Sequence, residues 1–178
     1  MTTDELRPLI QSNETDRVEM TRSTTDTDKF REAICSFSND MPARKLPCYL
    51  LIGVDQKDTT FRLQATDELL QQFASYRSDG AVMPLPVMNV TSMRHPDGGG
   101  DVIVVKVHPH DMPPVRYRGR IHIRIGPRKD TASEAEERVL IERRAAHFPT
   151  FDAMPCSEGG LNRLDLLPSP RHRLHSCL

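Results

Sequence analysis

Hydrophobic and polar positions alternate or recur along the chain in a way that divides it into short elements. Residues 3–11, TDELRPLIQ, predict an opening helix with Thr3 as N-cap and Asp4 and Glu5 in the first turn. Residues 17–22 alternate, Val18 and Met20 on one side and Glu19 and Thr21 on the other, as a half-buried strand does. In DTDKFREAICSFSND, Phe30, Ala33, Ile34 and Phe37 recur at helical spacing behind an Asp26 or Thr27 cap. CYLLIGVD, residues 48–55, is a continuous apolar run suited to a central strand buried on both faces, with FRLQ, residues 61–64, as a short partner. TDELLQQFASYRSDG predicts a helix capped by Thr66 and ending near Gly80. VMPLPVMNVTSM is extended and, given its prolines, suited to a sheet edge; HPDGGGD is a turn, and DVIVVKVHP a second strong strand. PPVRYRGRIHIRIG predicts a hairpin around Arg118-Gly119, and TASEAEERVLIERRAAHF a long helix capped by Thr131 or Ser133.

Strands and helices do not alternate strictly, so the expected class is α+β: a mixed, largely antiparallel sheet with helices packed on it. Residues 1–148 are expected to form the domain and 149–178 an irregular extension, since LPSPRHRLHSCL is rich in Pro, Arg and His. At 178 residues, 37% hydrophobic and 28% charged, the chain has enough apolar content for one buried core. No apolar run approaches the length of a membrane span, and the start MTTDELRP lacks a signal core, so a cytoplasmic, membrane-free protein is expected. Cys35, Cys48, Cys156 and Cys177 form no C-x-x-C pair, which favours reduced thiols over a zinc site.

The net charge of −1 hides an asymmetry. Residues 1–40 carry nine acids against five bases. Residues 112–129 carry Arg116, Arg118, Arg120, Arg124, Arg128 and Lys129 with no acid among them. Guanidinium groups pair with phosphate, and alternation would set Arg116, Arg118 and Arg120 on one face, so these six cations are the candidate contacts for an anionic polymer. Arg124, between Ile123 and Ile125, also reads as a structural arginine satisfying carbonyls.

The stretch NETDRVEMTR places Glu14 and Glu19 five positions apart. Neither a helix nor a strand brings such a pair together, so convergence requires Glu14 in a loop or helix end and Glu19 in a strand. Carboxylates brought together in that way would suit Mg²⁺ or Mn²⁺; apart, the acids are solvated surface groups. His108 and His110 in HPHD have strand-borne metal spacing but no evident third ligand. No phosphate-binding glycine motif occurs, so no nucleotide cofactor is expected; without tryptophan and with three tyrosines, an extensive base-stacking platform is not expected either.

Four stretches in this order resemble the Schlafen-type AlbA domain of bacterial DNA-binding regulators and of the Schlafen core. NETDRVEM resembles its E-S-x-x-x-E-F-K opening, AICSFSND its A-F-A-N helix end, and YLLIGVDQ its L-x-I-G-V-D-D strand. VRYRGRIHIRIGPRKDTASEAE resembles its late Y-x-R-x-G hairpin and the helix start that follows. The resemblance spans roughly residues 10–145 and implies an α+β fold that binds DNA or RNA. In the Schlafen branch it also implies a metal-dependent RNA endonuclease centred on three carboxylates, which fall here on Glu14, Glu19 and Asp55, with Gln56 where the family repeats Asp. The expectation is therefore a nucleic-acid-binding domain working through its basic hairpin. The alternatives are a Glu14/Glu19/Asp55 ribonuclease, and an inert fragment or interaction module of a larger regulator. A homodimer stays open.

Overall fold

A computed structural model of the chain describes residues 2–12, 14–54 and 62–147. Residues 149–178 and Asp55 lie outside the described residues, so the expected C-terminal extension and the third carboxylate are not placed.

Helix α1, Thr3–Gln11, starts one residue earlier than its pattern suggests. Thr2, not Thr3, is the cap, because Glu5 lies three residues after it and closes a capping box: Thr2 N–H donates to Glu5 Oε2 at 2.8 Å and Glu5 N–H to Thr2 Oγ1 at 3.3 Å. After β1, Val18–Thr21, helix α2 runs Thr27–Asn39 behind an Asp26 cap and stops where Asp40 turns left-handed at φ 39°. Strand β2, Cys48–Ile52, precedes α3, Asp67–Ser75, which Thr66 caps. Then follow β3 Val82–Met83, β4 Val87–Arg94, β5 Asp101–His108, β6 Arg116–Tyr117, β7 His122–Ile125 and β8 Arg128–Thr131. Helix α4, Glu134–His147, closes the described chain, with Ser133 and Glu136 exchanging hydrogen bonds at its start.

The fold is α+β. One four-stranded sheet has the order β1-β2-β5-β4, with β1 parallel to β2 and the other neighbours antiparallel. The two long apolar runs, β2 and β5, take the central places, where both faces are covered and alternation is not needed. On one face, Phe30, Ile34 and Phe37 of α2 and Phe73 of α3 pack on Leu50, Ile52, Ile103 and Val105. On the other, Leu6 of α1 packs on Val18, Met20, Leu51, Val102 and Val104. Of the expected strand FRLQ, residue 61 lies outside the described residues, and among 62–64 Leu63 makes one bridge to Asp101.

Two further expectations are corrected. Strand β1 is buried on both faces, because the polar side carrying Glu19 is covered rather than wet. The basic hairpin is closed only at its tip, where Tyr117 and Arg120 exchange backbone bonds of 2.8 and 2.9 Å. Beyond the tip its arms part, β6 pairing with β3 and β7 with β8, because each short arm finds a longer-range partner. Cys35 and Cys48 are free and buried.

Candidate nucleic-acid interface

The hairpin is held by one buried amide. Asn39, the last residue of α2, donates from Nδ2 to the carbonyls of Val115 (2.9 Å) and His122 (2.8 Å). Its Oδ1 accepts the Val115 N–H at 2.7 Å. A 2%-exposed side chain thus spends both donors and its acceptor on the two segments that enter and leave the turn. Between them, Arg118 (φ 47°) and Gly119 (φ 77°) are both left-handed, as a two-residue hairpin turn requires. Arginine is an unusual occupant there, and its side chain leaves the turn toward solvent.

The structure disperses the six cations. Arg118 lies 3.0 Å from Asp28 of α2, whose other oxygen accepts the Tyr117 hydroxyl at 2.6 Å. The Tyr117 hydrogen bond, more than the Arg118 charge, holds the Asp28 carboxyl below its ordinary value of 3.8. Lys129 Nζ pairs with Glu32 of α2 at 3.0 Å and donates to the Lys29 carbonyl at 3.1 Å. Arg120 is exposed and has no ion pair among the described residues. Arg118 and Lys129 are thus both held against α2, and Arg120 follows Arg118 by two residues at the turn. Arg116 pairs with Glu137 of α4 and donates from Nη1 to the Gly119 carbonyl of the turn at 3.3 Å, because the left-handed turn residues break the alternation that would have aligned it with Arg118. Arg128 pairs with nearby Asp130 at the opposite end of β7.

Arg124 is not at the surface. Its side chain is 3% exposed, and Nη1 donates to Glu19 Oε2 at 2.5 Å. Nε donates to the Thr15 carbonyl (2.8 Å), Nη2 to the Val18 carbonyl (3.3 Å), and the guanidinium lies 5.2 Å from the Phe37 ring centre. Arg124 therefore ties β7 to the Thr15–Glu19 segment. Glu14, exposed in the loop before β1, accepts the Met20 N–H at 3.2 Å. The loop turns between the two glutamates, but each already has a protein partner. Glu14 and Glu19 as placed do not suit a divalent cation, because a fixed guanidinium charge already stands against Glu19 where the ion would bring its own. Among the described residues no three His, Cys, Asp or Glu side chains gather as a metal site. His108 and His110 line a cavity of about 410 Å³ with Asp40, Lys45, Asp111 and Arg143. His110 Nδ1 accepts the Met112 N–H at 2.9 Å, which occupies that lone pair.

Residues 14–133, from the loop before β1 to the start of α4, match the Schlafen, AlbA_2 family model. The chain belongs to this family. No curated protein matches the chain. Among solved structures, the AlbA_2 domain is similar to the N-terminal domain of a protein related to the ATP-dependent DNA helicase RecG from Nitrosomonas europaea. The identity is 26%, over 61% of this chain and 74% of that one, with a TM-score of 0.44. It is also similar to the DIP2311 protein from Corynebacterium diphtheriae, at 14% identity and TM-score 0.49, over 81% of this chain and 32% of that protein. None of the described residues forms a helix long and apolar enough to cross a membrane.

Sequence patterns singled out the cations but missed their partners. Asp28, Glu32 and Glu137 sit on helices remote in sequence, and only their placement in the first turn or on a polar helix face could have flagged them. Asn39 carried a usable signal: a polar residue closing a strongly apolar helix.

Proposed function

We propose that this AlbA_2 domain binds nucleic acid by setting the β6–β7 turn and the adjoining surface of α2 against backbone phosphates, with Arg118, Arg120 and Lys129 as the contacts. The observation that carries this is Arg120, an exposed guanidinium at the tip of a clamped turn, beside Arg118, held by the exposed Asp28, and Lys129, held by Glu32 and the Lys29 carbonyl. An exposed pair such as Arg118–Asp28 is worth at most about 1 kcal/mol, so a phosphate can replace that carboxylate at little cost. Family membership supports a nucleic-acid role. Arg116 braces the turn through the Gly119 carbonyl and pairs with Glu137, Arg128 lies at the far end of β7, and Arg124 serves the fold.

The test is the salt dependence of binding to a short duplex DNA and to RNA of the same sequence, measured by fluorescence anisotropy. Removing a cation that neutralises one phosphate should reduce the slope of log affinity against log salt by roughly 0.7–0.9. Arg118→Ala, Arg120→Ala and Lys129→Ala together should therefore remove about two to three units. Arg128→Ala should leave the slope unchanged. A folded triple variant with wild-type affinity would move the interface elsewhere. Mn²⁺-dependent RNA cleavage lost in Glu14→Gln would replace binding alone with the ribonuclease reading, and would require Glu19 to exchange Arg124 for the ion.

A further inference from the structure

Strand β4 forms one edge of the four-stranded sheet, and its outer side carries no strand among the described residues. Exposed edges are ordinarily blunted by charge, proline, a bulge or shortness. Here the register with β5 runs without interruption from Val87 to Arg94, and the run from Val87 to Met93 contains neither a charge nor a proline. The one charge, Arg94, is paired with Asp101 at 3.1 Å.

The phase of the ladder decides which backbone groups are free. His95 N–H donates to the Gly100 carbonyl at 2.9 Å, continuing the β4–β5 register. In an antiparallel ladder, hydrogen-bonding residues alternate, so odd-numbered residues of β4 face β5. On the far side of β5, Asp101 N–H donates to the Leu63 carbonyl at 2.8 Å, which agrees with that phase. The N–H and C=O of Met88, Val90 and Ser92 therefore point outward.

This row is complementary to itself. We propose that β4 pairs antiparallel with the β4 of a second copy of this chain about a two-fold axis at Val90. In that register Val90 faces Val90 of the partner, and Met88 faces Ser92. Each of these three outward pairs can exchange two backbone hydrogen bonds, so all six outward donors and acceptors of each strand segment are satisfied. Arg94 then stands opposite Pro86, and no like charges meet across the strands.

Side-chain chemistry agrees with the backbone. Met88 and Val90 pack on the face that α2 and α3 cover. A groove of about 870 Å³ continues that layer beyond the edge, lined by Ala74, Arg77, Ser78 and Leu85. The same side chains of an added copy would enter it. Leu85 and Val87, 47% and 51% exposed, flank the seam. An unrelated peptide could use the same edge, but only a second copy necessarily brings a strand whose free groups, length and neutrality match.

The test is sedimentation of the full chain over a concentration series, with hydrogen exchange by NMR. Ser92 is exposed and its N–H is outward, so Ser92→Pro removes a dimer bond while leaving the intramolecular ladder intact. Ser92→Lys serves the same purpose should proline disturb the fold. The wild type should show a monomer–dimer equilibrium, with slowed exchange of the Met88, Val90 and Ser92 amides at high concentration. Both variants should stay monomeric with unchanged far-UV circular dichroism. A wild type that stays monomeric to millimolar concentration, or variants that dimerise as well as it does, would overturn the proposal.

Discussion

Arg124→Met tests whether the arginine nearest the sequence-marked glutamate belongs to the fold or to a binding surface. The substitution keeps most of the aliphatic volume between Ile123 and Ile125 but removes all three hydrogen-bond donors. Glu19, 6% exposed in its side chain, is left as a buried carboxylate with no cation, and the Thr15 and Val18 carbonyls each lose a partner. Breaking a buried pair from one side costs about 3–5 kcal/mol, which for a domain of this size lowers the melting temperature on the order of 10–20 °C. Glu19→Gln alone should cost less, because an amide oxygen can still accept from Arg124. The double variant should be more stable than the sum of the singles by about 2 kcal/mol or more, since it leaves no unpaired charge. Chemical denaturation of the four proteins completes the cycle. Additivity within about 0.5 kcal/mol would refute the coupling. A small change in stability with a large loss of nucleic-acid affinity in Arg124→Met would return that residue to the interface.

Asp28→Asn should tighten nucleic-acid binding severalfold at low salt, because Arg118 loses its competing carboxylate; weaker binding would show that Asp28 positions the arginine instead. Tyr117→Phe should raise the Asp28 titration seen by carboxyl NMR toward 3.8, since the Tyr117 hydroxyl is the main cause of its depression. His122 titrates below its ordinary 6.5 chiefly because burial penalises the imidazolium. The unfolded chain therefore takes that proton first, so its contribution to stability is intact above pH 6.5 and declines as the pH falls below it; His122→Gln should flatten this part of the profile, and an unchanged profile would contradict the assignment. Burial pushes the Cys35 and Cys48 thiols up to about 11, so in a Cys156→Ser/Cys177→Ser background a disulfide reagent should label them only after unfolding.

Elements with one strong local signal were legible in the sequence. The apolar runs of β2 and β5 could only be central strands, and the spacing of Phe30, Ile34 and Phe37 fixed the buried side of α2. What failed was whatever depended on a partner far along the chain. Strand β1 looked half-buried because Glu19 is polar, and only Arg124, more than a hundred residues later, explains how a carboxylate can be covered. The hairpin read correctly at its tip, where turn chemistry is local, and incorrectly along its arms, where β3 and β8 compete for pairing. The α1 cap moved to Thr2 because a reciprocal capping box satisfies two donors and a lone hydroxyl satisfies one.

The same distinction governs the charge balance. Along the chain, residues 112–129 are basic without relief. In the folded domain, four of those six cations stand against acids from α2, α4 and β8, and Arg124 is neutralised by Glu19. The local field is therefore weaker than the sequence count suggests, which fits a net charge of −1. If the proposed contacts hold, such a surface would bind by exchange: a phosphate would have to displace a carboxylate from Arg118 and Lys129, while Arg120 would be available at once. Exchange would lower the affinity below what the cations alone would give, and it would make the acids as consequential as the cations. Asp28 and Glu32 lie one helical turn apart on α2, so neutralising both should act on Arg118 and Lys129 together. The Asp28→Asn/Glu32→Gln variant should thus bind more tightly than wild type and lose most of that gain when Arg118 and Lys129 are also removed. Retention of the gain without those two cations would show that the acids repel nucleic acid at a distance and that the phosphates are held elsewhere.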